Sequence, residues 1–335
     1  MTTQRNYSLD LLRIIACLAV VMIHTAGSPI LHGMVEEGSR HYLQCIAMDA
    51  LCRWSVPVFA MLSGFFLLDP QKDVSIGRLF KKYLARIVAA LVFWSFFYSI
   101  HFDLKSFSIN PSGFYPLTTG TSHLWYLMML IGLYLAIPVM RLIAASPKVL
   151  SFFCWAWAAF MLYRFAGKFV TLPIDPGEVI FTDYVGYCLV AYWLKQNLSR
   201  KGESKNLAAA IYILGAIGLV GSLAIGLFLG TPDTPFLSYT SPNVIAAAIG
   251  LFLLFVRNPL QLSAKWSNAV ETCSKCTFGI YLMHVWVLSQ FFFRVHRLIP
   301  QPIILSVVCV ITTFAVSFAL TFLIKKIPVA GRYLV

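Results

Sequence analysis

The chain has 335 residues, 59% of them hydrophobic and only 12% charged, and it carries a net charge of +13. Such a balance excludes a soluble globular domain and a disordered chain, neither of which combines so much apolar character with so few charges. The basic excess excludes a nucleic-acid partner as well, because no basic run is interleaved with aromatics, and it reads instead as a membrane-topology signal.

Ten apolar stretches follow one another, at about 10–29, 43–68, 80–101, 124–143, 149–167, 180–196, 207–229, 242–256, 274–293 and 302–324. They predict an all-α, polytopic membrane helix bundle of about ten transmembrane helices with membrane lipids around it. The eighth is short, and begins earlier or is tilted or partly buried. With the N-terminus inside, eighteen Lys/Arg fall in inward-facing segments and six in outward-facing ones, Arg13 and Arg53 lying within spans. The positive-inside rule therefore places both termini in the cytoplasm. The first apolar run carries Arg13 and ends without a small-residue cleavage site, so it is not a removable signal. No extramembrane segment reaches domain size, which predicts a single membrane domain over residues 1–335 with no fused extracytoplasmic domain. The outer loops 30–42 and 102–122 are the ones long enough to shape an entrance.

Ionisable groups inside a bilayer are costly and by default mark function. On the first helix Asp10, Arg13, Cys17 and His24 share one narrow stripe, since Arg13, Cys17 and His24 fall at roughly 300°, 340° and 320° from Asp10. Arg13 and His24 are about 16 Å apart along the axis, half the hydrocarbon thickness. A buried ion pair with a satisfied histidine is the alternative reading. In the second span Asp49 and Arg53 are four residues apart, suited to an intrahelical salt bridge or a substrate contact. Pro57 is expected to kink that helix, and Ser63-Gly64 allows close packing or a local backbone opening. Arg78, Lys81, Lys82 and Arg86 lead into the third span, either as a headgroup anchor or, with Arg13, as an anion site. His123 and Trp125 open the fourth span at the depth of His24, where an aromatic belt is the alternative. Asp183 and Tyr187 begin the sixth on the same side, and His284 sits mid-span in the ninth, as a site residue or a core histidine. The eight cysteines scatter through apolar spans as small hydrophobes, and no metal is expected.

Five motifs in order resemble the acyltransferase-3 family of integral-membrane acyltransferases. They are Ser8-Leu-Asp10-Leu-Leu-Arg13 with His24, Ser55-Val-Pro57-Val-Phe59 with Ser63-Gly64, and His123-Leu-Trp125-Tyr126 with Tyr134-Leu-Ala-Ile-Pro138. Tyr184-Val-Gly186-Tyr187 and Thr277-Phe-Gly279-Ile-Tyr281-Leu-Met-His284 complete the set. The chain is most similar to compact members that O-acetylate enterobacterial common antigen and related surface glycans. The resemblance implies a multi-pass protein of the bacterial inner (cytoplasmic) membrane. It also implies that Arg13 and His24 form the family's Arg-x10-His motif, that the co-substrate is cytoplasmic acyl-CoA, acetyl-CoA foremost, and that the acceptor is an outward-facing glycan or lipid-linked saccharide. One departure stands out: where many members carry the first arginine of an Arg-x-x-Arg pair, this chain has Tyr83, with Lys82 beside it and Arg86 in the second position.

Acyl transfer needs a base or nucleophile, oxyanion stabilisation and charge complementarity for the donor phosphates. On this reading His24 takes the acceptor proton or is transiently acylated, and Asp183 or His123 orients it. Arg13, Arg86 and Lys82 hold the donor phosphates, while Asp49, Arg53, Trp125, Tyr187 and His284 contact the acceptor. A transporter or flippase lined by Arg13, Asp49, Arg53 and His24, and a non-catalytic scaffold or sensor, are the competing classes.

Overall fold

A computed structural model describes residues 5–335 apart from 71, 73, 104–122, 173–182, 200–203 and 232–233. Every regular element among the described residues is helical. Hydrocarbon imposes this, because backbone amides there must pair within their own segment. Helix α1 spans Tyr7–Leu31 and opens on Asn6, whose side chain accepts from the Leu9 amide. The cap thus falls just before the apolar run begins.

The second expected span is two helices, α2 (Arg40–Cys52) and α3 (Ser55–Leu67), separated at Arg53 and Trp54. Pro57 accounts for the position of the break. Its ring excludes the carbonyl four residues back, that of Arg53, while Pro57 itself rests in the first turn of α3, where a missing N–H costs nothing. The proline thereby leaves Arg53 at a joint rather than in a continuous helix wall.

A short turn, α4 (Ile76–Arg78), passes through a π-helical segment, Leu79–Leu84, into α5 (Ala85–Asp103). Then come α6 (Trp125–Ala145), α7 (Pro147–Ala166), α8 (Asp183–Leu198) and α9 (Lys205–Phe228). The series ends with α10 (Pro242–Arg257), α11 (Ala264–Val295), α12 (Pro302–Ile324) and the short α13 (Pro328–Tyr333). Among the described residues eight segments are long and apolar enough to cross a membrane, with α2 and α3 counted as one. The two remaining expected spans, α5 and α8, are helical as well. The short eighth span does begin earlier, at a 3-10 turn over Pro235–Leu237. The expected entrance loop 102–122 lies, beyond Asp103, outside the described residues.

Helix α1 lies at the centre, against α2, α3, α11 and α12. Its Leu9, Leu12 and Ala16 are fully buried in the main core with Met61, Leu127, Tyr187 and Leu282. By contrast α9 turns Ile213, Ile217 and Val220 outward, as a lipid-facing helix does. Lipid is as apolar as leucine, so helices here associate through close packing rather than hydrophobic expulsion. Gly64 illustrates this: a Cβ there would lie 2.2 Å from the Cys188 carbonyl oxygen, so α3 and α8 touch backbone to backbone. At the Arg13 end Arg141 holds the turn after α3 by donating to the carbonyls of Leu67 (2.8 Å), Asp69 (2.7 Å), Pro70 (3.3 Å) and Lys72 (2.7 Å).

Candidate active site

At one end of the bundle Asp10, 5% exposed, accepts from Arg5 Nε and Ser274 Oγ, each at 2.6 Å, and from Arg13 Nη1 at 3.0 Å. Arg13 Nη1 also donates to Ser274 Oγ at 3.0 Å, and its guanidinium lies 5.6 Å from the Phe66 ring. Burying a guanidinium beside a carboxylate and a hydroxyl offsets its desolvation and fixes its direction. Arg86, half-buried, donates from Nη2 to the Val335 carbonyl at 2.6 Å and lies over Phe278, while its buried Nε has no partner among the described residues.

Both arginines line a cavity of about 1180 Å³. Its wall brings Lys82 alongside them and adds Arg78, Lys81, Lys275, Lys325 and Arg332, with no acidic side chain among the described lining residues. Such a mouth favours a polyanion. Lys325, just past the end of α12, has its pKa lowered from the usual lysine range, chiefly by burial; nearby Cys276 opposes the shift, and Arg86 and Lys275 add to it. A bound anion would relieve that strain. The opposite end of the cavity is apolar and aromatic, lined by Val20, Phe59, Tyr126 and Tyr281. Val20 stands about one helical turn below His24.

Three histidines, from α1, α11 and the turn before α6, meet there. His24 and His284 have ring centroids 4.8 Å apart, His123 and His284 5.2 Å, and His24 and His123 6.2 Å. His284 is fully buried and His123 is 7% exposed, whereas His24 is only partly buried and is the most exposed of the three. His284 Nδ1 lies 2.5 Å from the Tyr281 carbonyl oxygen. A carbonyl only accepts, so Nδ1 carries the proton and Nε2 is left with a lone pair. That Nε2 is buried without a hydrogen-bond partner among the described residues, as is Nε2 of His123. Tyr281 Oη donates to the His123 carbonyl, and Tyr98 Oη donates to the Leu282 carbonyl at 2.8 Å, pinning the cluster to α11. Despite the three rings, no group of His, Cys, Asp or Glu among the described residues is arranged to hold a metal ion.

A second cavity, of about 440 Å³, opens at the His24 end between the end of α7, the loop that leads into α10 and the α2–α3 joint. Arg53, Arg164 and Lys168 line it with Ser238, Thr240 and Ser241. Asp49 Oδ2 accepts from Arg53 Nε at 2.9 Å and Nη2 at 2.5 Å, and the guanidinium lies 5.3 Å from the Tyr239 ring. Tyr239 in turn stacks on Trp125 at 5.7 Å and 27°.

The fold gathers most of the residues anticipated from sequence, with two changes of place. Asp183 was expected to orient His24, but its carboxylate is paired with Arg164, its carbonyl accepts from Trp157 Nε1 at 3.1 Å, and no hydrogen bond joins it to His24. His123 is the orienting candidate that lies at the ring. Tyr187 was expected at the acceptor; it is fully buried and donates to the Tyr239 carbonyl at 2.5 Å, so it supports the aromatic platform from beneath. Asp49 and Arg53 form the intrahelical pair, and Arg53 alone of the two faces a cavity. Sequence reasoning missed Tyr239, Lys325 and Arg332 as site residues. Their signal, a tyrosine in a Ser/Thr/Pro-rich loop and cations after the last span, is ordinary for interfacial residues.

The profile of the acyltransferase-3 family, described as an acyltransferase domain, matches residues 6–322. No curated protein and no solved structure matches the chain.

Proposed function

The chain belongs to the acyltransferase-3 family, and from that premise we propose that this membrane acyltransferase is an O-acetyltransferase of the bacterial inner membrane. It moves an acetyl group from cytoplasmic acetyl-CoA to a hydroxyl of a cell-surface glycan or lipid-linked saccharide on the outer side. It acts as a single membrane domain with cytoplasmic termini. The observation that carries this reading is the cation-lined cavity that starts at Arg13 and Arg86 and ends at Tyr126 and Tyr281, against the histidine cluster.

Arg13, Arg86 and Lys82 hold the donor phosphates, with Lys325 and Arg332 completing the mouth. The pantetheine arm lies along the apolar end, where excluded water protects the thioester and strengthens local electrostatics. His24 removes the proton from the acceptor hydroxyl as its oxygen attacks the thioester carbonyl. The C–S bond then breaks, and the departing thiolate recovers the proton from the His24 imidazolium. His123 and His284 pack against His24 and hold its ring in place. The Tyr281 hydroxyl is committed to the His123 carbonyl, which leaves Tyr126, also lining the cavity, as the hydroxyl that donates to the oxyanion.

Replacing His24 with Ala tests this assignment. The ring is partly exposed and makes no hydrogen bond among the described residues, so the variant should stay folded and bind acetyl-CoA. Transfer to glycan should fall to background. Near-normal turnover would remove His24 from the chemistry.

A further inference from the structure

Resting on the acceptor side of that reading, we propose that the 440 Å³ cavity at the His24 end is the acceptor subsite and takes an acidic saccharide, a sugar bearing a carboxylate or phosphate. Three cations, Arg53, Arg164 and Lys168, line this small volume, and no acidic side chain does so among the described residues. Two of the cations are oriented from behind: Asp49 holds Arg53, and Asp183 holds Arg164. A guanidinium whose fork is fixed by a carboxylate on one side presents its remaining N–H groups in one direction, which suits a planar or tetrahedral oxyanion. Lys168, exposed at the rim, adds charge with no carboxylate paired to it among the described residues. A headgroup anchor would need only solvated cations at the surface. Here the cations instead share the wall of a half-open cavity with the hydroxyls of Ser238 and Thr240, groups that hydrogen-bond to sugar hydroxyls as well as to anions.

A chain of packed rings links the wall of the cavity to the histidines. The Arg53 guanidinium lies over Tyr239, Tyr239 stacks on Trp125, and ring contacts continue through Tyr126 and Tyr281 to His123. These rings pack on one another, mostly edge to face, and fix where Arg53 stands relative to the histidines. An anion anchored at Arg53 and Arg164 would hold the rest of the sugar at the His24 end of the bundle. The anionic group would thus select the acceptor and set which hydroxyl is presented.

The test measures saturation-transfer NMR binding of glucuronic acid, glucose 1-phosphate, glucose and inorganic phosphate to the full-length protein in phosphatidylcholine nanodiscs. At least one acidic sugar should bind tenfold or more tightly than glucose, and glucose 1-phosphate more tightly than inorganic phosphate. Arg164→Gln should reduce that preference by about tenfold, as for loss of one charge-assisted hydrogen bond. Lys168→Gln should reduce it less, and Arg164→Lys should retain part of it. Acetyl-CoA calorimetry on the same preparations reports folding and the donor site separately. Equal binding of glucose and both acidic sugars would overturn the proposal. So would wild-type preference in an Arg164→Gln, Lys168→Gln double variant, or inorganic phosphate matching glucose 1-phosphate, which would reduce the cavity to an anion site. Loss of acetyl-CoA binding by the unmodified protein would instead sink the acyltransferase mechanism while leaving the saccharide result readable.

Discussion

Replacing Arg13 with Gln separates a structural arginine from a donor-binding one, because the structure assigns different magnitudes to the two roles. Arg13 donates from Nη1 to Asp10 and to Ser274, both at 3.0 Å. Asp10 does not depend on it: Arg5 Nε and Ser274 Oγ remain on the carboxylate, each at 2.6 Å. Removing Arg13 therefore leaves no orphaned buried charge, and because its side chain is partly exposed and screened the stability cost should stay near that of one surface ion pair, at most about 1 kcal/mol. Against a bound phosphate the same guanidinium supplies a charge-assisted bond worth about 1.5–3 kcal/mol, a loss of roughly 10- to 150-fold in acetyl-CoA affinity. Isothermal calorimetry for binding and thermal unfolding for stability, run on one preparation, resolve the two. Lys82→Gln provides the scale: its exposed ammonium lies near the Tyr83 ring, so it should cost several-fold at most. Unchanged acetyl-CoA affinity in the Arg13→Gln protein would refute the phosphate role, and a large stability loss with no specific binding loss would make Arg13 a structural residue.

Two further outcomes are expected. A lysine with a lowered pKa loses its charge at lower pH than usual, so the Lys325 contribution to acetyl-CoA affinity should disappear as pH rises through a value below about 10.4. Lys325→Gln should abolish that part of the pH dependence, and a wild-type affinity that is flat up to the ordinary lysine range would refute it. For topology, single cysteines replacing the exposed Lys148 and Lys168 in a background freed of native cysteines should label from the cytoplasmic and the outer side respectively. Labelling of both from one side would invert or break the proposed arrangement.

Hydropathy alone marks where the helices run, because a bilayer leaves a backbone no other way to pair its amides. It also places Arg13 and His24 on one stripe, since a period of 3.6 residues is a local property. The limits of that reading appear wherever partners are distant in the chain. His24 sits on α1, His284 on α11 and His123 in the turn before α6, and nothing in their spacing reports that the rings lie within 4.8–6.2 Å. Asp183 was legible as an acid at the right depth, yet Arg164 on the neighbouring helix takes its carboxylate. Pro57 was legible as a kink, but only the tertiary structure makes its effect functional, by leaving Arg53 at a joint over Tyr239. Tyr239 itself belongs to a loop with no periodicity to read. Periodicity and hydropathy record how each segment meets its solvent, whereas the site depends on which faces of separate helices meet one another. That choice is settled by side-chain packing and buried polar pairing across the whole bundle.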